Sequence, residues 1–349
     1  MGDNGHPSAT LAVPGAWYVA ALARDLRGHR PVARVVGGTP MALFRDAAGR
    51  PHALLDRCPH RNVPLSYGSV RDGVLECCYH GWQFDGDGTC RAIPGLVGEP
   101  DRRARHAGAY PTVESDGFVW VQPVPGDSGD DPGPFRFPHV GDHGYTTVRR
   151  HARFEAGLHA ALENTLDVPH TAFLHGGLFR GGRDPVEIDV IVRNTPTGAE
   201  AEYVGEPRPE GLAGRILAPE GGVVTHVDRF LLPSIAEVEY RLGVNHLLVT
   251  SAFTPVSEFE TDLHAAITFR LRLPHALVRA AITPIANRIV GQDAAVLRRQ
   301  TEAVRRFGGE HFASTELDVL GQHIRKLLRQ AARGEAPDPD IERRLRMRV

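Results

Sequence analysis

Residues 57–85 read RCPHRNVPLSYGSVRDGVLECCYHGWQFD, and the rest of the chain is organised around them. Two ligand pairs stand in this stretch, Cys58-x-His60 and Cys77-x-x-His80, sixteen residues apart. Two thiolates and two imidazoles suit a [2Fe–2S] cluster with cysteine on one iron and histidine on the other. Each pair occupies its own short loop, so two loops can close on a compact cluster from opposite sides. A structural zinc ion is the competing reading, since four such donors also make a tetrahedral centre. Zinc fingers usually join a cysteine pair to a histidine pair, whereas here each loop supplies one of each.

The surroundings favour the cluster. Pro59, Gly68, Gly73, Gly81 and Trp82 punctuate the loops, and CYHGWQFD (78–85) resembles the second loop of Rieske domains. Cys78 stands where that loop often carries proline. Of the four cysteines, Cys78 and Cys90 remain after the cluster is filled. The N-terminus lacks the charged start and apolar core of a secretory signal. The two spare thiols are therefore read as reduced and the chain as cytoplasmic. A thiol beside a cluster is nonetheless open to oxidation.

The length of 349 residues suits two domains, and 42 % hydrophobic residues suffice for ordinary cores. A net charge of −2 with scattered basic residues argues against nucleic-acid binding. No apolar run approaches the roughly 20 residues needed to span a bilayer. Residues 1–15 read as a disordered leader and 16–122 as an all-β domain around the cluster. Residues 123–143, rich in Pro, Gly and Asp at their start, read as a linker. A second domain covers 144–334: a strand at 144–156, helix over most of 157–175, strands between about 186 and 273, then helices at 276–306 and 314–333. The charged tail 335–349 is expected to fray.

A second metal site is expected in NTLDVPHTAFLH (164–175). Asn164, Asp167 and His170 are spaced by three, so on a helix they would share one inclined stripe. His175 lies about 140° further round from His170, so the helix must bend or end between them for the imidazoles to converge. Pro169 before and Gly176-Gly177 after make such an end plausible. Two histidines and one carboxylate on one face of Fe(II) make the facial triad of non-haem oxygenases. Asp293, in the apolar helix IVGQDAAVLRRQ, is the candidate carboxylate, because an acid there is otherwise costly to bury. The plainer alternatives are helix-end histidines with satisfied hydrogen bonds, and ordinary helix acids at Asp167 and Asp293.

Over nearly its full length the chain resembles the oxygenase component of Rieske non-haem iron oxygenases. It is most similar to the short vanillate and dicamba O-demethylases, and more distantly to ketosteroid hydroxylases. CPH…CCYHGW and NTLDVPHTAFLH carry the resemblance, and Asp293 takes the place of the late acidic ligand within a looser pattern. The resemblance implies an α+β chain: an all-β Rieske domain, then a catalytic domain with a curved antiparallel sheet and helices of helix-grip (START-like) type. Cys58, His60, Cys77 and His80 would hold the cluster, and His170, His175 and Asp293 a mononuclear Fe(II). It further implies a homotrimer in which Asp167 bridges His80 of one chain to His170 of the next. Asn164 would line the iron site or simply pack its helix.

Electrons would come from a separate ferredoxin or NAD(P)H-dependent reductase, since no GxGxxG follows a strand here. With O2 they would hydroxylate or oxidatively demethylate an apolar small molecule, an aromatic compound first and a steroid or other polycyclic lipid second. Candidate pocket residues are Leu178, Phe179, Phe230, Leu232, Val249, Ala252, Phe253 and residues 285–290, with Arg180 and Arg183 available to an acidic substrate. Two other classes stay open: a Rieske electron carrier with a ligand-binding domain, and a zinc protein with a lipid-binding domain.

Overall fold

Short apolar runs separated by turn residues build the first unit, which comprises residues 1–136 with Thr254–Ser257. The computed structural model describes residues 12–124, 133–176, 186–207, 224–271, 274–338 and 341–348. Strands β1 (Tyr18–Leu22), β2 (Val32–Val36), β3 (Thr39–Arg45) and β4 (Pro51–Leu55) come first. Next are β5 (Ser69–Arg71), β6 (Val74–Glu76), β7 (Gln83–Phe84) and β8 (Cys90–Ala92), and last β9 (Ala109–Tyr110), β10 (Thr112–Ser115) and β11 (Phe118–Val121). They form sheets ordered β1-β11-β10, β2-β3-β4-β9 and β5-β6-β7-β8. One core packs Tyr18, Met41, Leu43, Val119 and Val121, and another packs Phe44, Leu54, Leu75 and Phe84 around Cys58 and Cys77.

The turn between β5 and β6 sets the separation of the ligand pairs. Asp72 and Gly73 both have positive φ, 51° and 78°, the backbone of a two-residue hairpin whose twist matches its strands. Glycine is required at Gly73, where a Cβ would sit 2.0 Å from the Ala47 nitrogen. The hairpin folds the sixteen intervening residues back on themselves, so that the loops after β4 and β6 lie at one end of the unit.

The second unit is one antiparallel sheet with helices on one face. In chain order it contains β12 (Thr146–Phe154), α1 (Leu158–Leu166), α2 (His170–Leu174), β13 (Glu187–Thr195), β14 (Gly198–Val204) and β15 (Thr225–Leu231). There follow β16 (Ile235–Leu242), β17 (Asn245–Ser257, of which the last four residues are counted with the first unit), β18 (Glu260–Arg270), α3 (His275–Phe307), α4 (Gly321–Ala332) and β19 (Glu342–Arg348). The sheet order is β12-β18-β17-β16-β15-β14-β13-β19. Leu162 and Leu166 of α1, Leu297 of α3, and Ile324 and Leu327 of α4 pack on Val190, Val192, Phe230 and Phe253 of the sheet.

Three expectations need correction. Residues 157–175 are helical for most of their length, but in two pieces: α1 stops at Leu166, and Asp167 is extended at φ −90°, ψ 109°. The stripe through Asn164, Asp167 and His170 is thereby broken. In the tail, residues 342–348 form a paired strand rather than a frayed end. Leu345 and Met347 of β19 turn inward while Arg346 and Arg348 pair with Asp189 and Glu187 of β13. Its alternation was masked by the charge. Residues 12–15 are not disordered either, since Ala12 is buried in the first core and the Val13 amide donates to the Tyr18 hydroxyl at 3.0 Å. Among the described residues no helix is long and apolar enough to cross a membrane.

Beneath the helices lies a buried polar array. His226 stacks between Tyr203 and Tyr240, with Nδ1 2.5 Å from Glu206 Oε2 and Nε2 2.9 Å from Asp228 Oδ1. Burial alone would push this imidazole down, but Asp228 and Glu206 together raise it to about 9. A raised folded-state pKa gives stability that is complete below the unfolded value of about 6.5 and is lost as pH climbs through the folded one. Chemical denaturation should therefore show stability falling between pH 6.5 and 9, with the slope flattened in His226→Gln. A flat wild-type profile would contradict this.

Candidate metal centres

The two cluster loops are built alike although their spacings differ. In the first, the Asn62 amide donates to the Cys58 carbonyl at 2.9 Å and the Cys58 amide to the Val63 carbonyl at 2.9 Å. In the second, the Gly81 amide donates to the Cys77 carbonyl at 3.0 Å and the Cys77 amide to the Trp82 carbonyl at 2.8 Å. Each knuckle closes on a left-handed residue four places after its cysteine, Asn62 at φ 61° and Gly81 at φ 68°. Asparagine and glycine are the residues that adopt this conformation at least cost.

Cys58 and Cys77 are buried, whereas His80 is exposed. The rings of His60 and His80 lie 4.6 Å apart, and Trp82 stacks on His60 at 4.7 Å. His60 Nδ1 is buried without a hydrogen-bond partner, as an atom meant for a metal would be. Burial, His80 and Arg61 all keep that imidazole below its ordinary pKa, which favours the neutral, ligating form. Burial pushes the Cys58 thiol up to about 11, opposed by the His60 amide and reinforced by Cys77 alongside. Metal loading must therefore displace a proton from the Cys58 thiol.

A single tetrahedral ion would draw its donors to about 3.3–3.8 Å of one another. Among the described residues, only two groups bring three metal-ligating atoms within 4.8 Å, and the loop residues are not one of them. That spread fits a two-iron cluster better than zinc. One of the two groups is His151, Asp262 and His264. There Arg153 already holds both oxygens of Asp262 at 2.8 Å, so the charge that would attract a metal is answered.

The other group is His170, His175 and Asp293. His175 closes the short helix α2, which turns its ring back toward His170. The two Nε2 atoms are 3.3 Å apart, and Asp293 Oδ1 lies 3.2 Å from His175 Nε2 and 3.7 Å from His170 Nε2. Metal–ligand bonds of about 2.1 Å place neighbouring donors about 3.0–3.4 Å apart; two of the three separations lie in that range and the His170–Asp293 one, at 3.7 Å, is a few tenths of an ångström longer, so the three donors converge as one face of a single ion requires. Asp293 Oδ1 is buried and accepts no well-aligned hydrogen bond, which leaves its lone pairs for that ion.

Residues 16–104 match the Rieske [2Fe–2S] domain, and residues 154–334 match the vanillate O-demethylase oxygenase C-terminal domain. The chain belongs to the Rieske oxygenases. It is 39 % identical over 186 residues to the oxygenase component of dicamba O-demethylase from Stenotrophomonas maltophilia, 52 % of this chain and 53 % of that protein. It is 46 % identical over 117 residues to 4beta-methylsterol monooxygenase from Methylococcus capsulatus, 32 % and 30 % of the two chains. Its matches thus span about half the length, or less, of these curated relatives. A crystal structure of dicamba monooxygenase bound to dicamba superposes with a TM-score of 0.75 at 23 % identity, covering 92 % of this chain and 98 % of that one, and so shares the fold.

Within this Rieske oxygenase, Asp167 neither continues α1 nor belongs to the triad. Its Oδ2 accepts from the His170 amide and faces His170 Nδ1, both at 3.2 Å. Asp167, Asn164 and His170 line an open groove of about 1620 Å³ between α1, α3 and α4. Asn164 thus shares the groove with His170 and is not one of the three converging donors. Phe230, Ala252 and Phe253 are fully buried core, whereas Leu232, Val249 and Val290 are half-buried. Leu178, Phe179, Arg180 and Arg183 lie outside the described residues.

Sequence reasoning missed Gln292, whose Oε1 lies 3.0 Å from His175 Nδ1. Its one signal was its place next to Asp293 in the chain. Asp293→Ala should lower iron from about three to about two per chain and leave acid-labile sulfide at about two, measured by metal and sulfide analysis. Retention of all the iron would exclude Asp293 as a ligand.

Proposed function

We propose that the chain is the terminal oxygenase component of a multicomponent Rieske monooxygenase. It would use O2 and electrons from a separate ferredoxin or reductase to hydroxylate or oxidatively demethylate an apolar, preferably aromatic, molecule. The observation that carries this reading is the three-donor face of His170, His175 and Asp293 in a chain that also has the Rieske loops. Cys58, His60, Cys77 and His80 would hold the cluster. When bound, the cluster relays single electrons and the mononuclear iron activates O2, so that one oxygen atom enters a C–H bond and the other leaves as water with two electrons and two protons.

The chain's own residues supply the rest. His170 and His175 present Nε2 beside Asp293 Oδ1, where the three would hold the iron. Half-buried apolar side chains on the helix-covered face of the sheet, among them Leu232, Val238, Leu247 and Val249, would receive the substrate and exclude water from it. The dicamba O-demethylase relative supports an aromatic methyl ether as the first substrate class to test. The sterol monooxygenase relative supports a polycyclic lipid as the second. A methyl oxidised on oxygen would leave as formaldehyde. The proposed setting is the cytoplasm, where ligand thiols stay reduced.

The proposed assembly is a trimer. Asp167 is held on His170 at the wall of an open groove, and His80 is exposed at the tip of its loop. Asp167 of one copy can then accept from His80 of another while bonded to its own His170, giving a short oriented path between the metal sites. Asp167→Ala is expected to keep the cluster loaded while substrate-dependent O2 uptake per bound mononuclear iron drops by about 10–100-fold. Light scattering should give the mass of three chains. Wild-type turnover in the variant, or an active monomer, would contradict the bridge.

A further inference from the structure

Consecutive residues of α3 hold His175 from both sides of its ring. Asp293 faces Nε2 at 3.2 Å, and Oε1 of Gln292 faces Nδ1 at 3.0 Å. A neutral imidazole carries one proton, so a ring that offers Nε2 to a metal must carry it on Nδ1 and donate it. An amide oxygen at that position accepts it and selects this tautomer. We propose that Gln292 is a positioning residue for the mononuclear metal: it fixes the tautomer and orientation of His175 and sets its donor strength apart from that of His170. The inference rests on the reading of His170, His175 and Asp293 as the ligands.

The two histidines have unequal partners. His170 Nδ1 faces a carboxylate, Asp167, whereas His175 Nδ1 faces an uncharged amide. A carboxylate draws the shared proton toward itself and makes the imidazole the stronger donor; an amide does so less. Charge explains the difference. A divalent ion with Asp293 and Asp167 sums to zero, and a second carboxylate behind His175 would leave a net negative charge where the ring is only 2 % exposed. His170, at the wall of the open groove, can take the charged partner because solvent reaches it.

The experiment starts from purified protein whose mononuclear iron has been removed by a chelator, with the cluster's absorption retained. Anaerobic calorimetric titration with Fe(II) is then compared for wild type, Gln292→Leu and Gln292→Glu. Wild type should bind one equivalent. Gln292→Leu, which fills similar space without an acceptor, should bind about 10–100-fold more weakly. Gln292→Glu, which restores an acceptor but adds a buried negative charge, should bind Fe(II) more tightly than Gln292→Leu, with cluster absorption unchanged in all three. Equal affinity in all three proteins, or equal weakening in both variants, would overturn the role of Gln292 while leaving the ligand set standing. Failure of wild type to bind one equivalent would overturn the ligand set itself and this inference with it.

Discussion

The mononuclear site depends on the chain's inability to continue one helix from Leu158 to His175. Pro169 lacks an amide proton and disfavours helical backbone at Val168 before it, so α1 ends and a new helix must start. The break has three consequences. It frees the His170 amide, which Asp167 then accepts. It holds the Asp167 carboxylate against His170 Nδ1, where an unbroken helix would have pointed it along the stripe. It also makes α2 short enough for His175, at its end, to swing back until the two Nε2 atoms are 3.3 Å apart. One proline thus arranges two ligands and the group that orients one of them.

The cluster loops meet the same need differently. Each must turn a cysteine and a histidine inward within five residues, and each does so by closing a backbone hydrogen bond onto a left-handed residue. Asn62 and Gly81 are equivalent although one pair is spaced CxH and the other CxxH. The tight Asp72-Gly73 hairpin then brings the loops together. Ligand spacing and turn chemistry, not side-chain packing, define this end of the unit.

Much of this was legible from local sequence, because both ligand sets lie in short segments whose spacing and punctuation carry their geometry. The strands Ile235–Leu242 and Asn245–Ser257 and the long helix α3 followed from periodicity. What was hidden depends on contacts distant in sequence. Strand β19 was concealed because four arginines outweigh Leu345 and Met347 in any local count, and two of them, Arg346 and Arg348, find their acids only on the distant strand β13. Gln292 is unremarkable until α3 lies across α2. The equivalence of Asn62 and Gly81 involves backbone conformation, which residue type only hints at. The His226 array required β14 and β16 to flank β15, bringing Glu206 and Tyr203 from one side and Tyr240 from the other to an imidazole whose second carboxylate, Asp228, is two residues along its own strand.

The most direct test of a cluster and a separate mononuclear iron in one chain is Mössbauer spectroscopy of protein grown on isotopically enriched iron and purified without air. Two iron environments are expected. About two thirds of the signal should come from a coupled pair with unlike irons, one bearing thiolates and the other imidazoles. About one third should be high-spin ferrous iron with nitrogen and oxygen donors. The mononuclear signal alone should vanish on removing His170 and His175. Iron confined to the coupled pair in freshly prepared protein, or an absence of the pair with zinc in its place, would contradict the account.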